Sequence, residues 1–511
     1  KMEQIDPSIL IEDVLTSLRT SFESRITREY TYRLALLKKF KKAVIENENQ
    51  IIDSLKEDLG RCEFLARVCE IDSLTANIDY QIKNLKSFMS PEDHDIPLLM
   101  APAKAQVIHE PYGVALVMGS WNVPFATTLN PVICAIAAGN CVCVKPSEIS
   151  PSASHVIKTI VSQLDPETVV CVEGGQKIAE LLLKQRWDLI AFTGSPEKGK
   201  LVAKAASEHL TPTILELGGK NPVIVDEIVN LDLAAMRIVQ TRYLNSGQIC
   251  LSPEYVFVHH SMLNDFLQKL QYYIKQFYGE NPKNSSDYGR IINETHTWRI
   301  IKLLERHEGE LIAGGDADIE SKYISPTIIL NPSPESELCK QEVFGPILVV
   351  FTYTNLDECI TYINAREKPL ALYYYGSNTK NMEKIKNQTS SGHFSCNESA
   401  FNYTCVDLPF GGVGQSGMSM IFSKYGFEAM SHQKSVLIKG NFNGYPVSLR
   451  YPPYTPEKVS SFNKLKALTQ FSLWQALKFG KRFLIVLVIV LFAIKTSVLQ
   501  KLWLLRYLLK R

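Results

Sequence analysis

Asn245-Ser-Gly-Gln-Ile-Cys250 sets a thiol beside a glycine and polar residues at a junction between elements, where a cysteine can be exposed, low in pKa and nucleophilic. Taken alone, a cysteine is more often structural. Leu215-Glu-Leu-Gly-Gly-Lys220 holds Glu216 between two leucines and ahead of two glycines. Partial desolvation there raises a carboxyl toward the range useful to a general base, although a paired core acid would have the same surroundings. In Gly119-Ser-Trp-Asn-Val-Pro-Phe125, Asn122 offers an amide donor on a turn stiffened by Pro124, as an oxyanion hole requires; such an asparagine also serves plainly structural turns. Gly194-Ser-Pro-Glu-Lys-Gly199-Lys200 has the GxxxxGK spacing, but Leu201 replaces the Ser/Thr hydroxyl with which a P-loop holds Mg²⁺. What survives is a strand, a tight turn and a helix whose amino-terminal amides suit a pyrophosphate, or an ordinary strand–helix turn.

The elements that must position these residues follow from hydrophobic patterning. The first 90 residues read as helices, with Ile9, Leu10, Ile11, Val14, Leu15, Leu18 and Phe22 at helical spacing. Apolar β-rich runs then alternate with helical patterns: 113–118 then 131–139, 141–144 then 152–164, 168–172 then 176–186, and 189–192 then 197–209. This is the signature of parallel α/β architecture. A second series runs through 221–225, 255–258, 327–330 and 347–351, so two adjacent α/β lobes are the simplest account, with crevices at strand ends for a cofactor and a reactive group.

The chain has 511 residues, 45% hydrophobic and 21% charged, which excludes a disordered or collagen-like protein. Eleven cysteines without paired spacing fit a reducing compartment, and no CxxC pair or HExxH motif points to a metal. The net charge of +2 argues against a nucleic-acid binder, yet it hides segregation: residues 441–511 hold twelve Lys and Arg against one acid, leaving −9 on residues 1–440. The tail contains the apolar run from Phe483 to Ile494, flanked by Lys481, Arg482 and Lys495. Twelve helical residues span only ~18 Å of a roughly 30 Å hydrocarbon layer. A crossing must continue to Leu505 with Lys495 and Lys501 snorkelling; alternatively, Val498, Leu502, Leu505 and Leu509 form the stripe of an interfacial helix. With no apolar run of signal-peptide kind near residue 1, the body is expected on the cytosolic side.

Taken in order, Trp121-Asn-Val-Pro124, Lys145-Pro-Ser-Glu148, Phe192-Thr-Gly-Ser195, Leu215-Glu-Leu-Gly-Gly-Lys220, Ser246-Gly-Gln-Ile-Cys250, Glu342-Val-Phe-Gly-Pro346 and Pro409-Phe-Gly-Gly-Val-Gly414 closely resemble the aldehyde dehydrogenase superfamily over residues 10–456. The 34-residue interval between Glu216 and Cys250 agrees with it. Tyr278-Gly-Glu-Asn281, Arg290-Ile-Ile-Asn293, Lys368-Pro-Leu-Ala-Leu372 and Arg450-Tyr-Pro-Pro453 point to its class 3 members, most of all the membrane-bound fatty aldehyde enzymes. The resemblance implies a Rossmann-like cofactor domain (8–215) without GxGxxG, an α/β catalytic domain (216–400), an oligomerisation segment (401–440), a linker with a gatekeeper helix (441–482) and a membrane-anchoring helix (483–505).

It also implies roles. Cys250 would attack an aldehyde, its own N–H and the Asn122 amide would hold the oxyanion, and Glu216 would activate the water that cleaves the thioester. Gly194 and Ser195 would lie at the cofactor's pyrophosphate, Lys145 and Glu148 near the adenosine ribose, Glu342 at the nicotinamide ribose and Phe344 near its ring. NAD is expected over NADP, since Glu148 repels a 2′-phosphate. The implied substrate is a medium- to long-chain aliphatic aldehyde, with broader or aromatic specificity as the alternative. A homodimer, lipid contact through the basic tail and a place on the endoplasmic reticulum, peroxisome or mitochondrial outer membrane complete the expectation. Lys198 and His393-Phe394 depart from the family pattern. A silent membrane scaffold and a P-loop nucleotidase are the competing readings; the intact Cys250, Glu216 and Asn122 weigh against the first, Leu201 against the second.

Overall fold

The run Val114–Met118 is apolar on both faces, which suits a strand covered on both sides. All five residues are buried, and the strand pairs in parallel with Cys141–Lys145 on one side and Leu189–Gly194 on the other. The sheet extends to Val169–Cys171 at one edge and, through Thr213–Leu217, to the short antiparallel Gly417–Met418 at the other. Helices Pro124–Ala138, Pro151–Ser162, Gln176–Leu183 and Pro196–Ser207 make the crossovers. The winding therefore reverses between Val114–Met118 and Leu189–Gly194. Such a reversal opens a crevice at the carboxyl ends of its two strands, and these lead into Gly119–Asn122 and Gly194–Ser195.

A second sheet follows the order Glu310–Ala313, Thr327–Leu330, Ile347–Tyr353, Pro253–His259, Asn221–Val225, Ala371–Tyr375, His393–Cys396, parallel except for Glu310–Ala313. Its apolar core includes Ile224, Phe257, Val349 and Leu372. The computed structural model describes residues 7–466 apart from 98, 99, 101, 102 and 442. These form two compact units: the larger, of residues up to Phe88 and Glu110–His432, contains both sheets, and the smaller takes Met89–His109 and the chain from Gln433. The smaller takes the strand Glu92–His94 and most of the strands Ala103–Pro111 and Ser431–Lys439, followed by the helix Pro456–Leu465. The expected anchor at 483–505 and the gatekeeper segment beyond residue 466 lie outside the described residues. Among the described residues, no helix is long and apolar enough to cross a membrane.

The helix leading away from Asn122 starts on Pro124 and stops at Gly139, whose φ of 94° closes the corner into the next strand. Arg33, buried, covers this corner and donates to the carbonyls of Thr27 at 2.6 Å and Ala137 at 3.0 Å, one of them a carbonyl the helix end leaves without a partner. A Cβ on Gly139 would stand 2.3 Å from the Arg33 guanidinium. Gly139→Ala should therefore destabilise the protein by roughly 2–4 kcal/mol, combining left-handed strain with overpacking; denaturant unfolding measures this, and an unchanged midpoint would contradict the role given to the corner.

Candidate active site

A cavity of about 1110 Å³ lies at the winding reversal. Asn122, Gly194, Ser195, Glu216, Cys250, Glu342 and Phe344, which the sequence singles out in five separate segments, all line it. Lys145 and Glu148 do not. They pair with each other at 2.8 Å beyond the carboxyl end of the neighbouring strand, with the Lys145 chain buried and Glu148 half exposed. Gly199 and Lys200 sit inside the helix Pro196–Ser207 rather than in a loop, and Lys200 donates to Gln415, so the backbone wrap of a P-loop is absent here. Ser195 caps that helix, accepting from the Lys198 N–H at 3.4 Å. His393 and Phe394 are not on the cavity wall: His393 is buried against Phe410, and Phe394 packs on the core of the second sheet.

Cys250 follows a turn in which Asn245, Ser246 and Gly247 all have left-handed backbone, with φ of 52°, 53° and 74°. Two such non-glycine residues cost on the order of 1–3 kcal/mol each, and the surroundings hold them there. Gln248, fully buried, donates to the carbonyls of Asn245 and Arg290 at 2.9 Å each and accepts from the Ile292 N–H at 3.0 Å. The Asn245 side chain donates to the Asn122 carbonyl at 3.0 Å, and Asn221 donates to the Cys250 carbonyl at 2.7 Å. The Asn122 amide is itself fixed: its oxygen accepts from Ser120 at 2.6 Å and one N–H goes to the Gln248 carbonyl at 3.0 Å, leaving a second donor.

Sequence reasoning did not find the pair that ties these parts together. Arg61 and Glu70, both buried, meet at 2.7 Å. Arg61 also donates to the Asn122 carbonyl and to Asn245 Oδ1, while Glu70 accepts from the Ala126 N–H at 2.7 Å in the first turn of the following helix. Nothing local marks them; they are an acid and a base nine residues apart in a helical stretch, and only tertiary contact gives them a purpose.

The electrostatics run against the low-pKa thiol expected from the sequence. Burial, with Glu342 and Glu216 nearby, pushes the Cys250 thiol up to about 12. Glu216 is buried, neither carboxylate oxygen has a hydrogen-bond partner among the described residues, and desolvation holds its carboxyl well above the usual range. Desolvation also lifts Glu342, to about 8, with Glu254 adding to it. A Cβ on Gly218 would lie 2.2 Å from a Glu342 carboxylate oxygen, so that glycine permits the side chain's approach. Trp121 packs edge-on to Phe344 at 5.3 Å and against His296 at 5.1 Å.

Residues 11–436 match the model of the aldehyde dehydrogenase family. The chain belongs to this family. It is 41% identical over 464 residues to aldehyde dehydrogenase family 3 member A2 of Rattus norvegicus, covering 90% of this chain and 95% of that one. It is 39% identical to a dimeric NADP-preferring aldehyde dehydrogenase of Canis lupus familiaris, covering 87% and 98%. Among solved structures, a substrate-bound Staphylococcus aureus AldH superposes with a TM-score of 0.86 at 36% identity, covering 90% and 99%. The protein is accordingly an NAD(P)-dependent oxidoreductase acting on aldehydes.

The cavity of this aldehyde dehydrogenase fits a dinucleotide: it joins the amino-terminus of a twelve-residue helix capped by Ser195 to the unpartnered Glu216 carboxyl. Gly247 leaves no room for one added atom: a Cβ would stand 2.2 Å from the Gly345 carbonyl oxygen. Backbone cannot give way as a side chain does. Gly247→Ala should cost at least 2 kcal/mol, roughly the strain plus overpacking of such a site, and change the rate at which iodoacetamide alkylates Cys250. Wild-type unfolding and alkylation would show that the turn tolerates displacement.

Proposed function

We propose that this enzyme oxidises medium- to long-chain aliphatic aldehydes to carboxylic acids, with NAD preferred, through a Cys250 thioester. The observation that carries the reading is the buried Glu216 carboxyl without a hydrogen-bond partner on the same cavity wall as Cys250 and Asn122. An unpaired buried acid is costly, and a general base awaiting a water explains it. Cys250, its thiol proton released to solvent, adds to the aldehyde carbon, and the oxyanion is held by the Asn122 amide and the Cys250 N–H. The dinucleotide, when bound, supplies the hydride acceptor. Departure of that hydride leaves an acyl group on sulfur, which has no further hydride to lose. Glu216 takes a proton from water, the water oxygen attacks the acyl carbon, and the acid leaves as the Cys250 sulfur departs.

Trp121, Leu244, Phe401, Phe410, Ile421 and Phe422 on the cavity wall support an alkyl substrate, each buried CH₂ contributing about 0.8 kcal/mol. The apolar run 483–494 between basic residues supports attachment to a membrane, where such aldehydes partition; the spanning helix and its organelle belong to this same reading. Exposed Leu408, Met418 and Met420 support a subunit contact in a homodimer through residues 401–440. The half-exposed Glu148 beside Lys145 supports NAD over NADP by like-charge repulsion of a 2′-phosphate.

A long-chain aldehyde should give NADH absorbance that disappears on alkylation of the thiol or in Cys250→Ser; turnover surviving both would end the thioester route. Asn122→Ala should lower kcat by about 10²–10³, as loss of one oxyanion donor does. Glu148→Gln should improve kcat/KM with NADP relative to NAD, and an unmoved ratio would remove Glu148 as the selector. Cys250, Glu216 and Glu342 all titrate above their ordinary values, so their reactive, deprotonated forms gain as pH rises. The kcat for aldehyde oxidation, which includes cleavage of the thioester, should climb as pH rises above neutrality; a fall there would contradict Glu216 as base.

A further inference from the structure

We infer that Glu254 is a positioning residue that sets where Glu342 and Phe344 stand toward a nicotinamide dinucleotide, by holding the backbone of the turn that carries them. The inference rests on the dinucleotide-dependent reading above. It starts from how Gln341–Gly345 is held. Lys220 Nζ donates to the carbonyls of Leu338 at 2.9 Å and Gln341 at 2.8 Å. The Val343 and Phe344 N–H groups donate to the two carboxylate oxygens of Glu254 at 2.9 and 3.4 Å. Arg299 donates to the Val343 carbonyl at 2.6 Å, and Arg242 to the Gly345 carbonyl. Charged side chains from elsewhere in the chain thus bind the polar backbone of a single short turn.

Glu254 is the centre of this cradle. It is buried, and it binds Lys220 at 2.9 Å and Arg242 at 3.0 Å in addition to the two amides. Burial alone would raise its carboxyl, but Lys220 and Arg242 hold it down to about 2, so it is an anion throughout the working range. The two side chains that the turn presents to the cavity, Glu342 and Phe344, are its output. Phe344 has a φ of 44°, a left-handed backbone that an aromatic residue adopts only under constraint. Core stability gives no reason for such an arrangement, since a buried ion cluster is often matched by well-packed apolar residues of equal volume. Fixing two cavity-wall side chains by charge-assisted hydrogen bonds is what the cluster accomplishes that apolar packing would not. Arg242 extends the constraint, donating also to Pro253 O at 2.7 Å and Ser252 Oγ at 3.2 Å, beside the nucleophile's own segment.

Glu254→Gln keeps the shape, removes the charge shared by Lys220 and Arg242, and places an N–H₂ group where only acceptors fit. Calorimetry of the full-length variant with NADH should show Kd raised about tenfold or more, and the KM for dinucleotide should rise with it. Acylation of Cys250 by p-nitrophenyl acetate, which needs no dinucleotide, should stay within twofold of wild type. Glu254→Asp should recover part of the NADH affinity. An unchanged Kd, or equal losses in NADH binding and ester acylation, would overturn the inference, the latter by showing a general structural role. If Glu254→Gln fails to fold, Arg299→Gln removes another pin of the same turn and must likewise raise the Kd for NADH; an unchanged Kd there is equally fatal. Absence of aldehyde-dependent NADH formation in the wild-type enzyme would instead sink the functional reading, so the two failures are distinct.

Discussion

Two backbone turns meet at Gly247 and Gly345, and the rest of the site depends on how closely they do so. No side chain fits between them at position 247. One turn leads to Cys250 and the other carries Glu342 and Phe344, so the segments bearing these three cavity-wall residues approach each other at one backbone contact. The left-handed residues at 245, 246 and 344 are the strain this approach entails. It is offset by hydrogen bonds from buried Arg61, Gln248 and Glu254, each bonded on more than one side. Strain of this kind persists where surrounding structure over-determines the backbone, and here it does so on both sides of the contact.

Carboxyl groups around this contact have opposite fates. Glu254 has two cations and two amides and stays ionised; Glu216 has no partner and is driven toward its neutral form; Glu342 lies between, lifted by burial and by the Glu254 charge. The difference is local solvation and pairing, not residue type. A permanently charged acid suits a structural anchor, whereas an acid that gives and takes protons near working pH suits a base.

Much of the fold was legible because buried parallel strands are continuous apolar runs and their crossover helices are amphipathic. Val114–Met118, Asn221–Val225, Thr327–Leu330 and the helix Pro196–Ser207 all stand within a few residues of the patterned segments. Thr213–Leu217 was not legible, because Glu216 breaks its apolar run; it is a strand through its parallel partner Leu189–Gly194. His393-Phe394 begins a strand and lies off the cavity wall. The sequence suggests an exposed Cys250 of low pKa; the thiol is half-buried on the cavity wall, and desolvation with the Glu342 and Glu216 carboxyls nearby pushes it up, which the local motif does not reveal.

The sequence by itself determined the chemistry: which residue types are present, with a thiol, an amide and an acid in three separate segments, together with a doubly wound α/β frame. Those are local properties, written in periodicity and in short motifs. Only the tertiary structure decided which groups are charged and which turns are strained. Protonation follows from burial and from partners as distant in the chain as Lys220 and Glu254, or Glu254 and Val343, and left-handed backbone at Asn245 or Phe344 follows from neighbours that no local pattern announces.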